Sequence, residues 1–314
     1  MKPIDIVLPV YNEEEGIAAF HSALSSAIQP LSVRYRFRMI YVLDRSRDET
    51  FAVLKKIAGL DDRVLVVHLS RRFGHQMSLV AGIDHSRGDA VIMMDSDQQH
   101  PPALIPALLE LFEQGYQVVH TVRRYDPGTS RLKRWTSDVF YHLQNVMSPV
   151  EMRPGVADFR LISRKVAAVF QTSIREQNQF LRGLFQWVGF SSITVQYTSA
   201  PRAAGTTKYD VSRLVAFAIA GMLSFSKVPM RVTSAIGVTI SALSSLYGIG
   251  LIVYYFLANY VPQGYTSLIV VVLFIGGLQL TVLGIMGEYL GAIFDEVKRR
   301  PLYVVDEIVS GGRP

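Results

Sequence analysis

The chain has 314 residues, is 49% hydrophobic and carries a formal net charge of +6, enough apolar material for one large domain plus a further element. It contains no cysteine, which excludes disulfides, thiolate metal ligands and a cysteine nucleophile. Its basic residues show no zinc-finger spacing, RNA-recognition signature or basic recognition helix, which argues against nucleic acid. They gather instead near apolar segments and in "RRYDPGTSRLKRW" (Arg123 to Trp135), a pattern that suits an anionic lipid surface or phosphorylated substrates.

From the amino terminus, short apolar runs alternate with helix-like stretches. "IDIVLPV" precedes a helix from about Glu13, "FRMIYVL" one from about Asp48, "VLVVHLS" one from about Gly74 and "AVIMMD" one from about Pro102, with "QVVHTV" next. This rhythm predicts an α/β domain over 1–210, with a Rossmann-like, mostly parallel sheet and helices on both faces. Ligands of such sheets bind at the carboxyl ends of the strands. Three polar clusters fall there: "PVYNEEE" (Pro9 to Glu15), "LDRSRDET" (Leu43 to Thr50) and "DSDQQHPP" (Asp95 to Pro102). Neither a GxGxxG fingerprint nor a phosphate-binding GxxxxGK[ST] loop accompanies them.

Asp95 and Asp97 stand at i and i+2, so an extended backbone points both carboxylates the same way, and their charges repel unless a cation or a proton lies between them. One aspartate is explained by a turn or a cap; two make a divalent cation a candidate, and hard oxygen ligands suit Mg or Mn. His100 reads as a loop residue beside Pro101 rather than as a metal ligand.

Further along, "RLKRWTSDVFYHLQNVM" (131–147) places Leu132, Trp135, Val139, Leu143 and Val146 at helical spacing behind basic residues. Periodicity alone favours a core-packed helix; the nearby apolar segments tip the reading toward a bilayer interface. Asp210 opens a second stretch, 211–231, read as a juxtamembrane helix. From Val232 to Gly287 no Asp, Glu, Lys or Arg occurs, and "NYVPQGYTS" interrupts the run. Two transmembrane helices, about 232–258 and 267–290, are predicted as a hairpin. Lys227 and Arg231 precede the pair and Lys298, Arg299 and Arg300 follow it, so both termini, including a tail over 291–314, are expected in the cytoplasm of a multi-pass inner-membrane protein. The first apolar run is too short and too soon acidic for a signal peptide.

The order of "PVYNEEE", "LDRSRDET", "LSRRFGHQMSLVAGIDHSRGDAVIMMDSDQQHPPALI", "DFRLISR", "PRAAGTTKY" and "GEYLGAIFDEVKRRPLYVV" resembles the family 2 glycosyltransferases that charge polyprenyl phosphates, above all bacterial bactoprenol glucosyltransferases, with dolichyl-phosphate mannose synthases as wider relatives. The resemblance implies a GT-A fold and inverting transfer of a sugar from a nucleoside diphosphate to a polyprenyl phosphate at the cytoplasmic membrane face. It implies a divalent Mg or Mn ion, contact with membrane lipids and a homo-oligomer, a tetramer. Glucose from UDP-glucose is the favoured donor; mannose, galactose, N-acetylhexosamine or a modified arabinose would use similar machinery.

Carried over by position, the resemblance makes Pro9, Tyr11, Glu13 and Asp44 nucleoside-lining residues and Asp95, Asp97 and Gln99 the metal and diphosphate motif. It places Asp158 at the reaction centre and Arg202 and Lys208 near the phosphates. Asp158 then orients the acceptor or supports an oxocarbenium-like sugar, with proton abstraction as a less favoured role; its plainer reading is a structural pair with Arg160. The chain departs from the family's "DDGS" at Leu43 and Arg45, and from "DADLQDPPE" at Gln98, His100 and Ala103. Two other functions compete. A processive polysaccharide synthase would carry Q-x-x-R-W, which "FLRGLFQWVG" does not reproduce, and a non-catalytic scaffold would tolerate the altered second motif.

Overall fold

The computed structural model describes residues 1–97, 99–123, 156–198, 228–258 and 264–311. The predicted interfacial helix 131–147, residues 211–227 of the predicted juxtamembrane helix, and Arg202 and Lys208 lie outside the described residues. The chain divides into two compact units, one built on a sheet and one on two long helices.

The sheet has eight strands: β1 (Lys2–Val10), β2 (Tyr35–Leu43), β3 (Val64–Leu69), β4 (Ala90–Met93), β5 (Val118–Arg123), β6 (Val156–Ser163), β7 (Ser192–Tyr197) and β8 (Val305–Ser310). Their order is β7-β5-β6-β4-β1-β2-β3-β8. The centre is parallel: β1 pairs with both β2 and β4, and β2 with β3. β6 enters antiparallel between β4 and β5, while β7 runs parallel to β5. The mostly parallel expectation therefore describes the centre and β7; β6 and β8 run against their neighbours.

Alternation decides which strand residues face which layer. Ile4, Ile6, Leu8 and Val10 of β1 pack with Ile17, Phe20, Leu24 and Ile28 of α1 (Ile17–Ile28) and with Leu54 and Ile57 of α2 (Thr50–Leu60). Ile105, Leu108 and Leu109 of α4 (Ile105–Glu113) complete that layer. The opposite face receives α3 (His75–Asp84), where Gly82 permits a close approach: a Cβ there would meet Val7 Cγ1 at 2.1 Å. α5 (Arg164–Thr172) and the short α6 (Leu181–Trp187) follow β6.

At the amino ends of the strands, buried Asp5 is held by the Arg38 fork at 3.0 and 2.9 Å and by the Gly88 amide at 2.8 Å. This ion pair fastens β1 and β2 to the turn before β4, at the end of the sheet away from the candidate site.

Within the predicted 291–314 tail, the structure has β8. That strand pairs antiparallel with β3; Lys55 bonds Glu307 at 3.0 Å, and the Gly311 amide reaches the Val64 carbonyl at 2.7 Å. Just upstream, the Tyr303 hydroxyl donates to Asp84 Oδ2 at 2.9 Å. The sequence offered only a short, half-exposed apolar alternation here, which tertiary pairing converts into an edge strand.

The second unit contains α7 (Val228–Ala258) and α8 (Tyr265–Lys298). Val228 to Arg231, expected to end the juxtamembrane helix, form the first turn of α7, and α8 extends eight residues past the predicted 290 boundary. Within α8, Phe274–Lys298 is long and apolar enough to cross a membrane.

Candidate active site

After β1, the chain turns through β2 and β3 on one side and returns to β4 on the other, so a crevice opens at the carboxyl ends of β1 and β4. Three loops meet there and are fastened to each other by backbone-to-side-chain bonds. The Asn12 amide donates to Ser46 Oγ at 2.9 Å, the Arg47 amide to Asn12 Oδ1 at 3.0 Å, and the Glu13 amide to Thr50 Oγ1 at 2.9 Å. Asn12 holds φ at +51°, a left-handed conformation that asparagine tolerates better than most residues. Ser96 Oγ donates to the Pro9 carbonyl at 3.1 Å, tying the β4 loop to β1.

Pro9 is buried at the end of β1, Tyr11 and Glu13 are half-buried beyond it, and the Arg72 guanidinium lies 4.3 Å from the Tyr11 ring centroid. A flat cation over an aromatic face makes a wall suited to a planar base. Asp44 occupies a different position from a surface ligand: it is buried, and its oxygens accept from the Phe73 and Gly74 amides at 2.7 and 2.9 Å. Asp44 therefore shapes the β3–α3 loop that carries Arg72. Arg45, at the family's glycine position, has no positive φ, and its guanidinium donates to the Ser70 carbonyl at 3.0 Å.

Asp95 and Asp97 follow β4 at the crevice. Asp95 Oδ1 is 2.7 Å from His75 Nε2, at the start of α3. Burial works against the charged forms of both partners. The contact outweighs it, so the imidazole pKa is raised and the carboxyl is held below the usual range. His100 is buried, stacks on Phe159 with centroids 5.2 Å apart, and accepts the Asp95 amide at Nδ1 (2.8 Å). Burial lowers its pKa, and the accepting Nδ1 places the ring proton on Nε2. It braces the loop. Asp97 Oδ1 accepts the Gln99 amide at 3.1 Å, while Gln99 Oε1 accepts from Arg123 Nη1 at 3.1 Å.

Among the described residues there is no cluster of three or more ligating side chains. Two carboxylates nevertheless suit a Mg or Mn ion that completes its shell with donor phosphates and water. Gln99 Oε1 already accepts from Arg123, so one of its two lone pairs is engaged.

Asp158 on β6 is 7% exposed and carries two arginines. Arg182 of α6 grips it with Nε to Oδ1 at 3.0 Å and Nη2 to Oδ2 at 2.8 Å; Arg160 Nη2 reaches Oδ1 at 3.2 Å. Burial favours the neutral acid, but the two guanidinium groups hold the carboxyl well below its ordinary range. The structural pair with Arg160 thus exists, and Arg182 adds a second cation.

Sequence reasoning did not single out Arg72, His75 or Arg182. The first two stood within the quoted "LSRRFGHQ" and the third within "FLRG", but nothing in their spacing announces which carboxylate or ring they meet.

The family model for Glycosyl transferase family 2 matches residues 5–170. A SfII prophage-derived bactoprenol glucosyl transferase of Shigella flexneri is 38% identical over 308 residues, covering 98% of this chain and 99% of that protein. An uncharacterized glycosyltransferase of Synechocystis sp. is 38% identical over 305 residues, covering 97% and 95%. Among solved structures, glucosyl-3-phosphoglycerate synthase of Mycobacterium tuberculosis, in complex with Mn2+, UDP-glucose and phosphoglyceric acid, overlays with a TM-score of 0.46 at 20% identity, covering 71% of this chain and 79% of that one. On the family match and the near full-length likeness to the Shigella and Synechocystis proteins, the chain is an enzyme belonging to glycosyl transferase family 2.

Proposed function

We propose that this enzyme transfers glucose, with inversion, from UDP-glucose to a polyprenyl phosphate at the cytoplasmic face of a membrane. The near full-length likeness to proteins named bactoprenol glucosyl transferase supports the substrates. The observation that carries the chemistry is Asp158, buried and kept ionised by two guanidinium groups. Such a carboxylate is a poor base at neutral pH, and this reaction needs none. A phosphate monoester, with its second pKa of about 6, arrives largely ionised.

An acceptor oxygen forms the new bond to the sugar's anomeric carbon as the bond to the donor diphosphate breaks, leaving the electron pair on the diphosphate. Tyr11 and Arg72 hold the nucleoside, with Pro9, Glu13 and the Asp44-braced loop forming its surround. Asp97, with Asp95, would hold the divalent ion, which when bound neutralises charge developing on the leaving group. Arg202 and Lys208 serve the same phosphates by position in sequence, and Asp158 supports positive charge developing at the sugar.

In this reading both α7 and α8 cross the bilayer. β7 precedes the pair and β8 follows it, and both strands belong to one sheet, which supports an even number of crossings. The retained acidic set, Asp95 and Asp97 after β4 and the buried, doubly paired Asp158, favours an enzyme over a scaffold. The family resemblance supports a homo-oligomer, a tetramer, which light scattering of the purified protein checks.

The test is transfer of labelled glucose from UDP-glucose to undecaprenyl phosphate in membranes, repeated with a panel of nucleotide sugars. Divalent-dependent transfer to lipid is expected; donor turnover without lipid product, or no turnover of any donor, refutes the assignment. Because the chain lacks native cysteine, Gly264→Cys tests the topology: reagent added outside intact cells should label it.

A further inference from the structure

The cluster around Asp158 holds more cation than its own charge explains. Among the described residues, two guanidinium groups meet this one carboxylate. The two arginines are also unequal. Arg160 is 1% exposed, lies 4.6 Å from the Phe185 ring centroid, donates to the Ala157 carbonyl at 2.9 Å, and has a buried Nη1 without a hydrogen-bond partner. It is locked in the core of the unit, next to the group that the reaction uses. The Arg182 side chain is 38% exposed, so it can change partners without first being lifted from a buried site.

A guanidinium fork fits a carboxylate and a phosphate with the same pair of parallel N–H groups. We propose that Arg182 is the ligand of the acceptor phosphate, and that the incoming phosphate takes this fork from Asp158. Asp158 then remains ionised beside Arg160 and presents an unoccupied oxygen toward the sugar. With two guanidinium groups on it, Asp158 keeps one cation when the other turns to the phosphate, which a one-to-one ion pair would not allow. Acceptor binding, in this scheme, completes the reaction centre. The inference rests on the polyprenyl-phosphate reading above and deepens it.

Steady-state kinetics of full-length Arg182→Gln and Arg182→Lys, in detergent or nanodiscs, test it. Arg182→Gln should raise the acceptor KM roughly 10- to 100-fold, as expected for lost charge-assisted hydrogen bonds. The Kd for UDP-glucose should not change. Arg182→Lys, which keeps the charge and loses the fork, should fall between the two. In Arg182→Ala, added guanidinium ion should restore part of the lost rate, which guards against a merely misfolded variant. A short-chain, water-soluble prenyl phosphate should show the same KM rise, because the contact is with the phosphate.

An unchanged acceptor KM with a lower kcat, no guanidinium rescue and an equal loss of donor hydrolysis without acceptor would make Arg182 a structural partner of Asp158 and overturn the proposal. Failure of the unaltered enzyme to glucosylate any polyprenyl phosphate would instead overturn the functional reading on which it rests.

Discussion

Asp158→Asn separates the structural role of this carboxylate from its chemical one. The substitution preserves shape and removes the anion facing Arg160, which is 1% exposed and would keep the Ala157 carbonyl and the Phe185 face as partners. Removing one member of a buried ion pair typically costs about 3–5 kcal/mol, because the other charge is stranded. The amide oxygen still accepts one hydrogen bond and the half-exposed Arg182 can turn to water, so the lower end, about 3 kcal/mol, is expected. For a unit of this size that corresponds to a melting temperature lower by roughly 6–12 °C. Adding Arg160→Met removes the stranded charge and should bring stability back to within about 1 kcal/mol of the original, since apolar replacements of buried pairs are often neutral. Both variants should lack transferase activity. Circular dichroism melts of the purified proteins, with parallel transfer assays, provide the check. If Asp158→Asn melts like the unaltered protein, or if the second substitution gives no recovery, the buried-charge argument is wrong.

Asp97→Ala should reduce divalent-dependent transfer roughly 100-fold or more, given the several kcal/mol that a catalytic metal supplies, with little change in melting because the side chain is half-buried in a loop. Initial rates over a Mg and Mn titration measure this, and an undiminished rate would remove Asp97 from the site. Gly311→Ala should release the end of β8: its Cβ would lie 2.2 Å from the Asp61 carbonyl oxygen and 2.9 Å from Asp62 Cα. A cost of about 1–3 kcal/mol is expected, and hydrogen exchange over Val305–Ser310 should accelerate. Burial holds the His21 and His68 pKa values below the ordinary imidazole range. The unfolded chain therefore takes up these protons first, and stability should decline as pH falls below about 6.5. Melting at pH 5.5 should come below that at pH 7.5, with a smaller difference in His21→Phe.

The sheet was legible in the sequence where a strand's own residues settle its state. Ile4, Ile6, Leu8 and Val10 alternate so regularly that β1 could be read without its neighbours, and β2, β3, β4 and β5 announced themselves as apolar runs. β6 was quoted as a motif and not as a strand, because "VADFRLIS" carries two charges; the structure buries both and pairs them with one another. β8 failed for the opposite reason: its residues are largely exposed, so its identity comes from the open edge of β3 rather than from its own hydrophobicity. Helix starts were close but early. Glu13 to Gly16 form a turn before α1, where the Glu13 carbonyl accepts from the Gly16 and Ile17 amides.

At the site, sequence showed which groups are acidic but not what each one faces, and partners decide function there. Asp95, Asp97, Asp44 and Asp158 are equal as letters. One is paired with His75, one lies in the β4 loop, one is spent on two backbone amides, and one is gripped by two arginines. The decisive partner of Asp158 stands 24 residues away on α6. No local period links them, because the contact exists only once α6 packs beside β6. An aspartate that could have been a general base from its sequence is, in its folded surroundings, a fixed anion. This favours chemistry with an acceptor that brings its own negative charge, and it makes the partner exchange proposed for Arg182, rather than the basicity of Asp158, the step on which the proposed transfer turns.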